Sequence, residues 1–550
     1  MNANTLTVDD LLQRLDDLNA IGIALSKERD TTRLLETILL AAKSITNADG
    51  GTLYLMQEEL GERSLKFEIM RTDSLHIAMG GTTGVPIPFY PIHLIGQDGK
   101  PNHFMVAVYA VLHDKTVNIA DAYTAEGFDF SGTKNFDKKT GYRSQSFLTV
   151  PMKNHENEII GVLQLINAQD KQTNTIIPFS AADQHMVESL ASQAAIALTN
   201  RQLINQLENL FESLIKLINT AIDHKSPYTG GHCERVPTLS LMLADAVNRT
   251  TVGPLKYFQM SETDRYELKI AALLHDCGKI STPVHVVDKA TKLQTIFDRI
   301  DMIDARFEVL KRDAEIELLK ARLESGSDSR AIAELEQQFQ ERIRKIDEDR
   351  EYLRRCNLGG EFMAPELQER VKQIGSGYTW QNSEGKQVPF LSEDEIYNLN
   401  IKAGTLTAEE REIINDHVVL TIKMLEELPW PKHLRNVSEY AGGHHERMDG
   451  KGYPRGLMRE QMSVQARVMG IADIFEALTA ADRPYKKGKT LTESLNILGK
   501  MKLGNHIDAD LFDVFVREKI YLDYARQFLD PAQIDEVDES KIPGFTPGDA

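Results

Sequence analysis

Two histidine-bearing motifs constrain the fold of this 550-residue chain more than any other feature. His275-Asp276 ends a segment, Tyr266–Leu274, whose apolar residues recur at helical spacing, so the pair stands at the end of a buried helix. His444-His445 follows two glycines, which allow close backbone approach. Imidazole and carboxylate ligands suit Fe, Mn, Ni, Co or Zn better than Ca or Mg. The pattern therefore predicts helices that bring both motifs to one metal centre.

The spacing of these ligands favours two metal ions over one. Neighbouring positions on a helix point about 100° apart, because an α-helix has 3.6 residues per turn. His275 and Asp276 therefore suit two ions, or one ion and a bridge, better than a single closed tetrahedral site. A metal pair lowers the pKa of a bound water and holds both oxygens of an in-line displacement. With Lys279 close by, the pattern is typical of a dinuclear hydrolase of phosphate esters.

Four motifs in the C-terminal part of the chain resemble those of the HD-GYP family, a branch of the HD metal-dependent phosphohydrolases. They are Tyr228–Val236 (YTxxHxxRV), His275–Lys279 (HDxGK), His444–Pro454 (HHExxDGxGYP) and Ala472–Lys486 (ADxFxALT…DRPYK). The family hydrolyses cyclic dinucleotides, most often cyclic di-GMP, to the linear dinucleotide or to the mononucleotide. The resemblance extends over about 223–528, apart from an insertion, and implies a cyclic-dinucleotide phosphodiesterase.

The resemblance also implies roles for individual residues. Two divalent ions, Fe or Mn, would be held by His232, His275, Asp276, His417, His444, His445 and Asp473. Asp276 would bridge the ions, and Lys279 would contact the substrate phosphate in catalysis. The rest of the substrate pocket would comprise Arg447, Asp449, Gly450, Gly452, Tyr453, Pro454, Arg483 and Lys486. Some family members bind a third metal through an acidic residue where this chain has Tyr228, so two ions are expected.

Several of these residues also have ordinary structural interpretations. His417 lies in a segment that by itself could be an ordinary helix, and Asp473 could be a buried carboxylate paired with Arg467. Glu446 either orients a histidine or lies on a solvated face. Cys277 is either a small buried hydrophobic residue or a redox-sensitive thiol beside the metals.

The N-terminal third predicts an α+β sensor domain that resembles a GAF domain. Helical patterns at Thr7–Ser26 and Thr31–Thr46 precede predicted strands at Gly51–Leu55, Leu65–Ile69, Phe147–Met152 and Ile159–Ile166. Asn167, Phe179 and Asp183 match the signature of GAF domains that regulate cyclic-nucleotide phosphodiesterases, whereas Ala168 and Gln184 depart from it. Two interpretations of the GAF domain therefore stay open. It either binds a cyclic nucleotide or is a dimerisation domain without a ligand.

A long helix is predicted to follow, from Phe179 to about Asn219. Its leucines alternate four and three residues apart, which is the spacing of a heptad seam: Leu203, Leu207, Leu210, Leu214 and Leu217, then Ala221. A seam that joins a sensor to a catalytic domain predicts a parallel homodimer through the GAF domain and this helix. The alternative is a helix that packs within its own chain.

An insertion at 288–403 interrupts the family pattern. Two charged, periodic segments, Thr295–Glu324 and Ala331–Arg355, flank a break at Ser325–Ser329 and predict a helical hairpin. A small ordered cap is expected after it. The hairpin is interpreted as a solvated projection or an arm that binds a protein partner, and the alternative is a lid over the active site.

The predicted fold is an α+β GAF domain joined by a long helix to an all-α HD-type domain with a helical-hairpin insertion. The predicted order is an N-terminal helix (1–28), a GAF domain (29–199), a coiled-coil linker helix (200–222), an HD-GYP domain in two pieces (223–287 and 404–530), the insertion (288–403) and a disordered tail (531–550). Two helices, Thr490–Met501 and Asp508–Phe528, are expected to close the HD-GYP domain.

Composition narrows the classes of function. The formal net charge of -19 argues against general nucleic-acid binding, which favours a basic surface. Lysines and arginines nevertheless cluster around the metal motifs, which fits a phosphate-ester pocket in an acidic protein. A cytoplasmic protein is expected, because the cysteines lack paired spacing and neither a signal peptide nor a membrane span is visible. Two rival functions stay open: a cyclic GMP-AMP phosphodiesterase, and a catalytically silent receptor for a cyclic dinucleotide.

Overall fold

The protein divides into two compact units, one up to Phe211 and one from Glu212 onward. The computed structural model describes residues 8–59, 61–96, 98–225, 231–326, 328–360, 362–481 and 488–545, without the side chains of residues 8–15 and 17. No helix within these ranges combines the length and the apolar character that a membrane crossing requires.

The first unit is an antiparallel sheet with helices on its faces. Its helices are α1 (Val8–Lys27), α2 (Thr31–Thr46), α3 (Val106–Leu112), α4 (Ser131–Thr140) and the first part of α5 (Ala181–Lys225). Its strands are β1 (Ala48–Glu59), β2 (Glu62–Thr72), β3 (Ile77–Gly80), β4 (Ile92–His93), β5 (Val117–Ile119), β6 (Phe147–Lys153), β7 (Ile159–Gln169) and β8 (Ile176–Ile177). The strand order is β3-β2-β1-β7-β6-β5, with β4 beside β2 and β8 beside β7. The four predicted strands correspond to β1, β2, β6 and β7.

Alternation along the strands builds a core on each face of this sheet. Leu53 of β1 is fully buried against Ile38 of α2 and Leu190 of α5. The next residue, Tyr54, points to the opposite face and packs with Val108 of α3. Successive side chains of a β-strand point to opposite faces, so one strand contributes to both cores.

The signature residues of the GAF resemblance have structural roles here. Asn167, with a φ of 57°, accepts hydrogen bonds from the backbone N–H groups of Gln145 (2.7 Å) and Ser146 (3.2 Å). Phe179 is buried in the core. Asp183 accepts a hydrogen bond from the backbone N–H of Ser180 (3.0 Å) at the start of α5. These contacts explain the residues without a bound nucleotide.

The elements described in the second unit are helices, apart from one small hairpin. Its first helices after α5 are α6 (His232–Arg249), α7 (Glu262–Leu274) and α8 (Val284–Val287). The insertion contains α9 (Ile300–Ser325), α10 (Ser329–Asn357), α11 (Pro365–Gly377), the two-stranded hairpin β9 (Thr379–Gln381) and β10 (Gln387–Pro389), and α12 (Glu393–Leu399). The rest is α13 (Ala408–Glu426), α14 (Val437–Gly442), α15 (Val464–Thr479), α16 (Leu491–Leu503), α17 (Ala509–Arg517) and α18 (Ile520–Phe528). The predicted fold class is confirmed, with β9 and β10 as an addition.

The insertion has a hydrophobic core of its own. Phe307 of α9, Leu353 of α10 and Phe390 are fully buried together. The base of the helical hairpin is closed, because Thr291 pairs with Leu358 as an isolated β-bridge. Lys289 joins this part to α13, since its buried Nζ lies 2.7 Å from the carboxylate of Glu410.

Two predictions for the C-terminal region are wrong. The single helix expected at Asp508–Phe528 is broken, because Lys519 adopts a left-handed φ of 53° between α17 and α18. The tail expected to be disordered is ordered over 531–545, with short 3-10 turns at Pro531–Gln533 and Glu539–Lys541. Gln533 donates to the carbonyl of Thr479 (2.8 Å) and Phe545 is buried. Residues 546–550 lie outside the described ranges.

Candidate metal centre

Five helices of the second unit place histidines and aspartates around one point. His232 opens α6, His275 directly follows α7, His417 lies within α13, His444 and His445 follow α14, and Asp473 lies within α15. Capping boxes fix the start of two of these helices: Ser261 with Asp264 begins α7, and Thr407 with Glu410 begins α13. These caps fix where α7 and α13 begin, and with them the positions of His275 and His417 along the two helices.

One group consists of His232, His275 and Asp276. The Nε2 atoms of the two histidines lie 3.2 Å apart. Each also approaches Oδ2 of Asp276, at 3.2 Å from His232 and 3.3 Å from His275. Asp473 joins them, with its Oδ1 3.3 Å from Nε2 of His232.

A second group consists of His417, His444 and His445, whose ligand atoms lie within 4.8 Å of one another. The rings of His444 and His445 have centroids 4.2 Å apart. Oδ1 of Asp276 lies 3.2 Å from Nε2 of His417. Asp276 thus directs one carboxylate oxygen to each group, which is the geometry of a bridging ligand. All seven predicted ligand residues are brought together.

The histidine rings are oriented by hydrogen bonds on their far side. Nδ1 of His275 donates to the carbonyl of Ala272 (2.8 Å), and Nδ1 of His444 donates to that of Ala441 (2.5 Å). His417 makes the same contact with the carbonyl three residues before it, that of Ile414. A proton held on Nδ1 leaves the lone pair of Nε2 directed at the centre, as a metal ligand requires.

Glu476 is a functional residue that the sequence reasoning missed. Its Oε2 lies 2.5 Å from Nδ1 of His232, and its Oε1 accepts from Nε of Arg235 (2.7 Å). It therefore orients His232 as backbone carbonyls orient the rings of His275, His417 and His444. Its position three residues after Asp473 on α15, hence on the same helix face, was the available signal.

The polar atoms at the centre fit divalent metal ions. Oδ1 of Asp276, Nε2 of His417 and Nε2 of His444 are fully buried and form no hydrogen bond among the described residues. An unsatisfied buried polar atom costs about 1–3 kcal/mol. A cation between these atoms would remove that cost, and the imidazole and carboxylate donors suit Fe or Mn.

Burial and charge act differently on the two groups of side chains. Burial lowers the pKa of His445 to about 4 and that of His444 well below its ordinary value. Burial acts in the same sense on His275, but the charge of Asp276 outweighs it and raises the pKa to about 9. Burial would raise the pKa of Asp276, yet Lys279 and His275 hold it well below the ordinary value. His444 and His445 are therefore neutral near pH 7.

Acid is expected to destabilise the metal-free protein as the pH falls from 6.5 to about 4. His445 has a pKa of about 4 when folded against an ordinary 6.5, so the unfolded chain takes up the proton first. Its stabilising contribution is present above pH 6.5 and is lost as the pH falls through 4. His275 acts in the opposite sense, because its contribution is complete below pH 6.5 and is lost as the pH rises through 9.

Thermal melting of chelator-treated protein at about pH 7 and about pH 5 measures this effect. The His445→Gln variant is the control, because glutamine does not titrate in this range. It should lose less melting temperature between the two pH values than the original protein. Equal losses in both proteins would contradict the expected effect of His445.

The loop after the paired histidines is held against them. Gly450 has a φ of 73°, and a Cβ on Gly452 would lie 2.3 Å from the backbone nitrogen of Arg447. The ring of Tyr453 stacks on that of His445, with centroids 4.8 Å apart. Glu446 holds the end of the loop, because its carboxylate accepts from the N–H groups of Arg455 (2.7 Å) and Leu457 (2.8 Å). Glu446 is buried, which excludes a solvated face, and no histidine of the described residues is its hydrogen-bond partner.

The predicted substrate-contacting residues are only partly brought to the centre. Nζ of Lys279 lies 2.5 Å from Oδ2 of Asp276. Arg447 forms a two-point ion pair with Asp449 at 3.1 and 2.8 Å, so its guanidinium is engaged within the loop. Arg483 and Lys486, and also Tyr228, lie outside the described residues.

Two structural alternatives are resolved by the contacts. Arg467 pairs with the buried carboxylate of Asp508 and leaves Asp473 to the histidines. Burial raises the pKa of the Cys277 thiol to about 11, which disfavours the reactive thiolate. Cys277 is therefore a small core residue.

Comparison with protein families matches residues 30–198 to the GAF domain, and residues 229–354 and 387–511 to the HD domain. A 3′3′-cGAMP-specific phosphodiesterase 1 of Vibrio cholerae is 47% identical over 81 residues, which cover 15% of this chain and 19% of the relative. A cyclic di-GMP phosphodiesterase of Thermotoga maritima is 35% identical over 129 residues, covering 22% and 34%. One from Pseudomonas aeruginosa is 36% identical over 124 residues, covering 22% and 28%.

These alignments span about a third or less of each relative's length. The two HD matches together contain every residue of the histidine–aspartate cluster, and the GAF match covers the antiparallel sheet. The chain therefore contains a GAF domain, followed by a region that matches the HD domain.

Proposed function

We propose that this chain is a cytoplasmic, metal-dependent phosphodiesterase that hydrolyses a cyclic dinucleotide, with cyclic di-GMP as its main substrate. The main support for this proposal is that the two carboxylate oxygens of Asp276 face two separate groups of histidines. The relatives from Thermotoga maritima and Pseudomonas aeruginosa are both named cyclic di-GMP phosphodiesterases. The GAF domain is proposed to regulate this activity, with its ligand open between a cyclic nucleotide and none.

The seven histidine and aspartate side chains of the centre would hold two divalent ions, and Asp276 is the one that faces both groups of histidines. Ions bound there would activate a water for attack on phosphorus and offset the charge of the phosphate. His232, His275 and Asp473 surround one position, and His417, His444 and His445 surround the other. Glu476 and the backbone carbonyls keep the imidazoles in the ligating tautomer.

Lys279 binds and orients the substrate in this mechanism. Burial would lower the pKa of its ammonium, but the neighbouring Asp276 raises it, so Lys279 keeps its charge. A protonated amine next to the bridging carboxylate is placed to pair with a non-bridging phosphate oxygen. The stacked ring of Tyr453 covers His445 on the side of the glycine-rich loop. We propose that this loop, with Arg447, Asp449, Gly450, Gly452 and Pro454, forms one wall of the substrate pocket, which Arg483 and Lys486 complete.

Cyclic GMP-AMP is the second candidate substrate. One specific observation favours it: the relative with 47% identity is named a 3′3′-cGAMP-specific phosphodiesterase. That identity extends over only 81 residues, so it does not decide base specificity. A silent receptor is disfavoured, because a binding-only protein needs no complete set of metal ligands.

Chromatographic separation of products tests the proposed function. The full-length protein, purified anaerobically and analysed for metals, is incubated with cyclic di-GMP and separately with 3′3′-cyclic GMP-AMP. Cleavage of cyclic di-GMP to the linear dinucleotide or the mononucleotide is expected. Faster cleavage of the hybrid dinucleotide would select the second candidate. A metal-loaded protein that binds a cyclic dinucleotide but cleaves neither would establish the receptor.

A parallel homodimer through the GAF domain and α5 is part of the same proposal. Leu207, Leu210 and Leu217 of the heptad seam are 64%, 66% and 65% exposed on a single chain. Exposed leucines at heptad spacing gain stability by packing against the same seam of a second chain.

Charge placed in this seam should separate the dimer. Leu210→Glu puts two carboxylates opposite each other, so sedimentation at micromolar concentration should change from dimer to monomer. Gln202→Glu adds the same charge outside the seam on an exposed position and should leave the dimer intact. A monomeric original protein would remove the dimer from the proposal.

The insertion is proposed to be an arm that binds a protein partner. Its helix α9 carries an exposed apolar row, in which Met302, Val309, Ile316 and Leu323 repeat every seven residues. The core of the insertion ends at Leu310 on α9 and resumes at Ile346 on α10, so residues 315–341 lie beyond it. Replacing 315–341 with a short loop should leave turnover and KM unchanged. A large change in either would favour the lid instead.

A further inference from the structure

The end of α5 reaches a turn beside the metal centre, and both belong to the second unit. Nζ of Lys225, the last residue of α5, donates to the carbonyl oxygen of Lys279 (3.3 Å) and to that of Ile280. These carbonyls belong to a short 3-10 turn, Cys277–Ser281, which carries the side chain of Lys279 to Asp276. A side chain of α5 therefore holds the backbone of the residue that is proposed to bind the substrate phosphate.

Two further contacts join the same part of α5 to α7. Oε2 of Glu212 lies 2.9 Å from Nζ of Lys269, and Nδ2 of Asn219 donates to the carbonyl of Leu273 (2.9 Å). Leu273 lies in the last turn of α7, where carbonyl groups have no partner inside the helix. The contacts follow the same order along both segments. This end of α5 therefore runs beside α7 in the same direction as far as the turn.

Asn219 fixes the register of α5 in this position. It is buried, as are Ile215 and Ile222, which lie four positions before it and three after it on the same helix face. Its Oδ1 forms no hydrogen bond among the described residues, which costs about 1–3 kcal/mol. A polar residue on a buried helix face selects one register at a cost in stability. Leu217 of the heptad seam points about 160° away from Asn219, so this face and the seam are separate.

The turn has two separate anchors. Thr421 of α13 accepts from the N–H of Gly278 (3.0 Å) and donates to the carbonyl of His275 (3.1 Å). The end of the turn that carries the metal ligands is therefore held by α13. Lys225 holds the other end, which carries Lys279. Loss of this second anchor would move the ammonium of Lys279 and leave His275 in place.

We propose that Lys225 is a positioning residue for the phosphodiesterase reaction and that it acts through Lys279, whose backbone it fixes from α5. This inference rests on the proposed function, because the contact of Lys279 with the substrate phosphate is part of that function. Helix α5 begins within the GAF domain. Regulation that reaches the site along this helix therefore changes the position of Lys279 and not the metal content.

Lys225→Met removes the ammonium and keeps a side chain of similar length. Its kcat/KM for cyclic di-GMP should fall by on the order of tenfold, because a displaced Lys279 no longer meets the phosphate in the productive geometry. Its metal content per chain should be unchanged, since all seven ligand side chains remain. Lys225→Arg should recover most of the loss, because a guanidinium also donates to carbonyls. Lys216→Met is the matched control: Lys216 is an exposed lysine of the same helix, and this variant should behave as the original protein.

A double-mutant cycle shows whether Lys225 acts through Lys279. Lys279→Met should itself lower kcat/KM, and the addition of Lys225→Met should lower it no further. A further loss of about tenfold in the double variant would mean that Lys225 acts by another route, and would overturn the proposal. So would loss of metal from Lys225→Met, because the residue would then support the metal ligands.

Hydrogen exchange of the full-length protein tests the contact without an assay of turnover. The N–H of Lys279 donates to the carbonyl of Asp276 (2.9 Å) and that of Thr282 to the carbonyl of Lys279 (3.1 Å), so both amides report on the turn. Both should exchange faster in Lys225→Met and in Asn219→Leu than in the original protein, and at the original rate in Lys216→Met.

The exchange measurement separates failure of this inference from failure of the proposed function. Equal exchange in all variants would overturn the positioning role of Lys225, even in a protein that cleaves cyclic di-GMP. Faster exchange in Lys225→Met, in a protein that cleaves no cyclic dinucleotide, would contradict the proposed function and with it the role of Lys225 in the reaction. The contact of α5 with the turn would then stand by itself.

Discussion

The Asp276→Asn variant is expected to lose both bound metal and phosphodiesterase turnover, the latter by on the order of 1,000-fold or more. Asparagine replaces one of the two oxygens that face the histidine groups with an amide NH2, which cannot ligate a cation. It also removes the negative charge that lies 2.5 Å from Lys279. The centre would then hold several imidazoles and an ammonium with Asp473 as its remaining carboxylate ligand. Elemental analysis per chain and chromatographic turnover measure the two effects.

Asp416→Asn is the matched control for this variant. Asp416 precedes His417 on α13 but is exposed, whereas His417 is buried. The same chemical change one residue from a ligand should therefore leave metal content and turnover as they were. If Asp276→Asn retained both, a bridging role for Asp276 would be wrong and the dinuclear mechanism with it.

The Gly278→Ala variant is expected to lose stability and metal together. A Cβ at Gly278 would lie 2.0 Å from the carbonyl oxygen of His417 and 2.8 Å from the backbone nitrogen of Thr421. Both atoms are backbone, so α13 must move away from the turn that follows His275. Thr421 connects these parts, since its Oγ1 accepts from the N–H of Gly278 (3.0 Å) and donates to the carbonyl of His275 (3.1 Å).

Overpacking of this kind costs about 3 kcal/mol or more, which corresponds to a fall of roughly 5–10 °C in melting temperature. Differential scanning calorimetry and elemental analysis check the two effects. Gly377→Ala is the control, because a Cβ there meets no atom within 4 Å. Identical melting of Gly278→Ala and the original protein would mean that α13 yields easily, and would contradict a rigid link between the turn and His417.

The ligand residues could be predicted because each lies in a local pattern with a chemical reason. His275 and Asp276 follow a periodic apolar segment, and the structure places them directly after α7. His444 and His445 follow glycines whose added Cβ atoms would meet Ile422 and Ala466, which accounts for Gly442 and Gly443. The strands of the first unit could be predicted for the same reason. A sheet that is covered on both faces requires short segments rich in apolar residues.

The rest depended on contacts between distant segments, which local patterns do not contain. Glu476 shares a helix face with Asp473, but its partner His232 lies 244 positions away along the chain, so its role could not be read from the local pattern alone. The tail was predicted to be disordered from its proline, glycine and acidic content. It is ordered because its backbone fits a helix surface: the carbonyl of Gly544 accepts from Nζ of Lys502 (2.7 Å), and a Cβ on Gly499 would lie 2.3 Å from the carbonyl oxygen of Pro543. The amino-acid composition of a segment does not show which surface of the protein the segment packs against.

Because the base of the helical hairpin is closed, the insertion is a suitable place to introduce new termini or a reporter group. Thr291 and Leu358 are paired, so the chain leaves and returns at one place, and α9 and α10 turn back near Gly326. New termini or a fluorescent reporter placed at that turn would be separated from the paired base by two helices of 26 and 29 residues. Any protein that binds this arm in the cell could then be followed optically, in a chain whose histidines remain untouched.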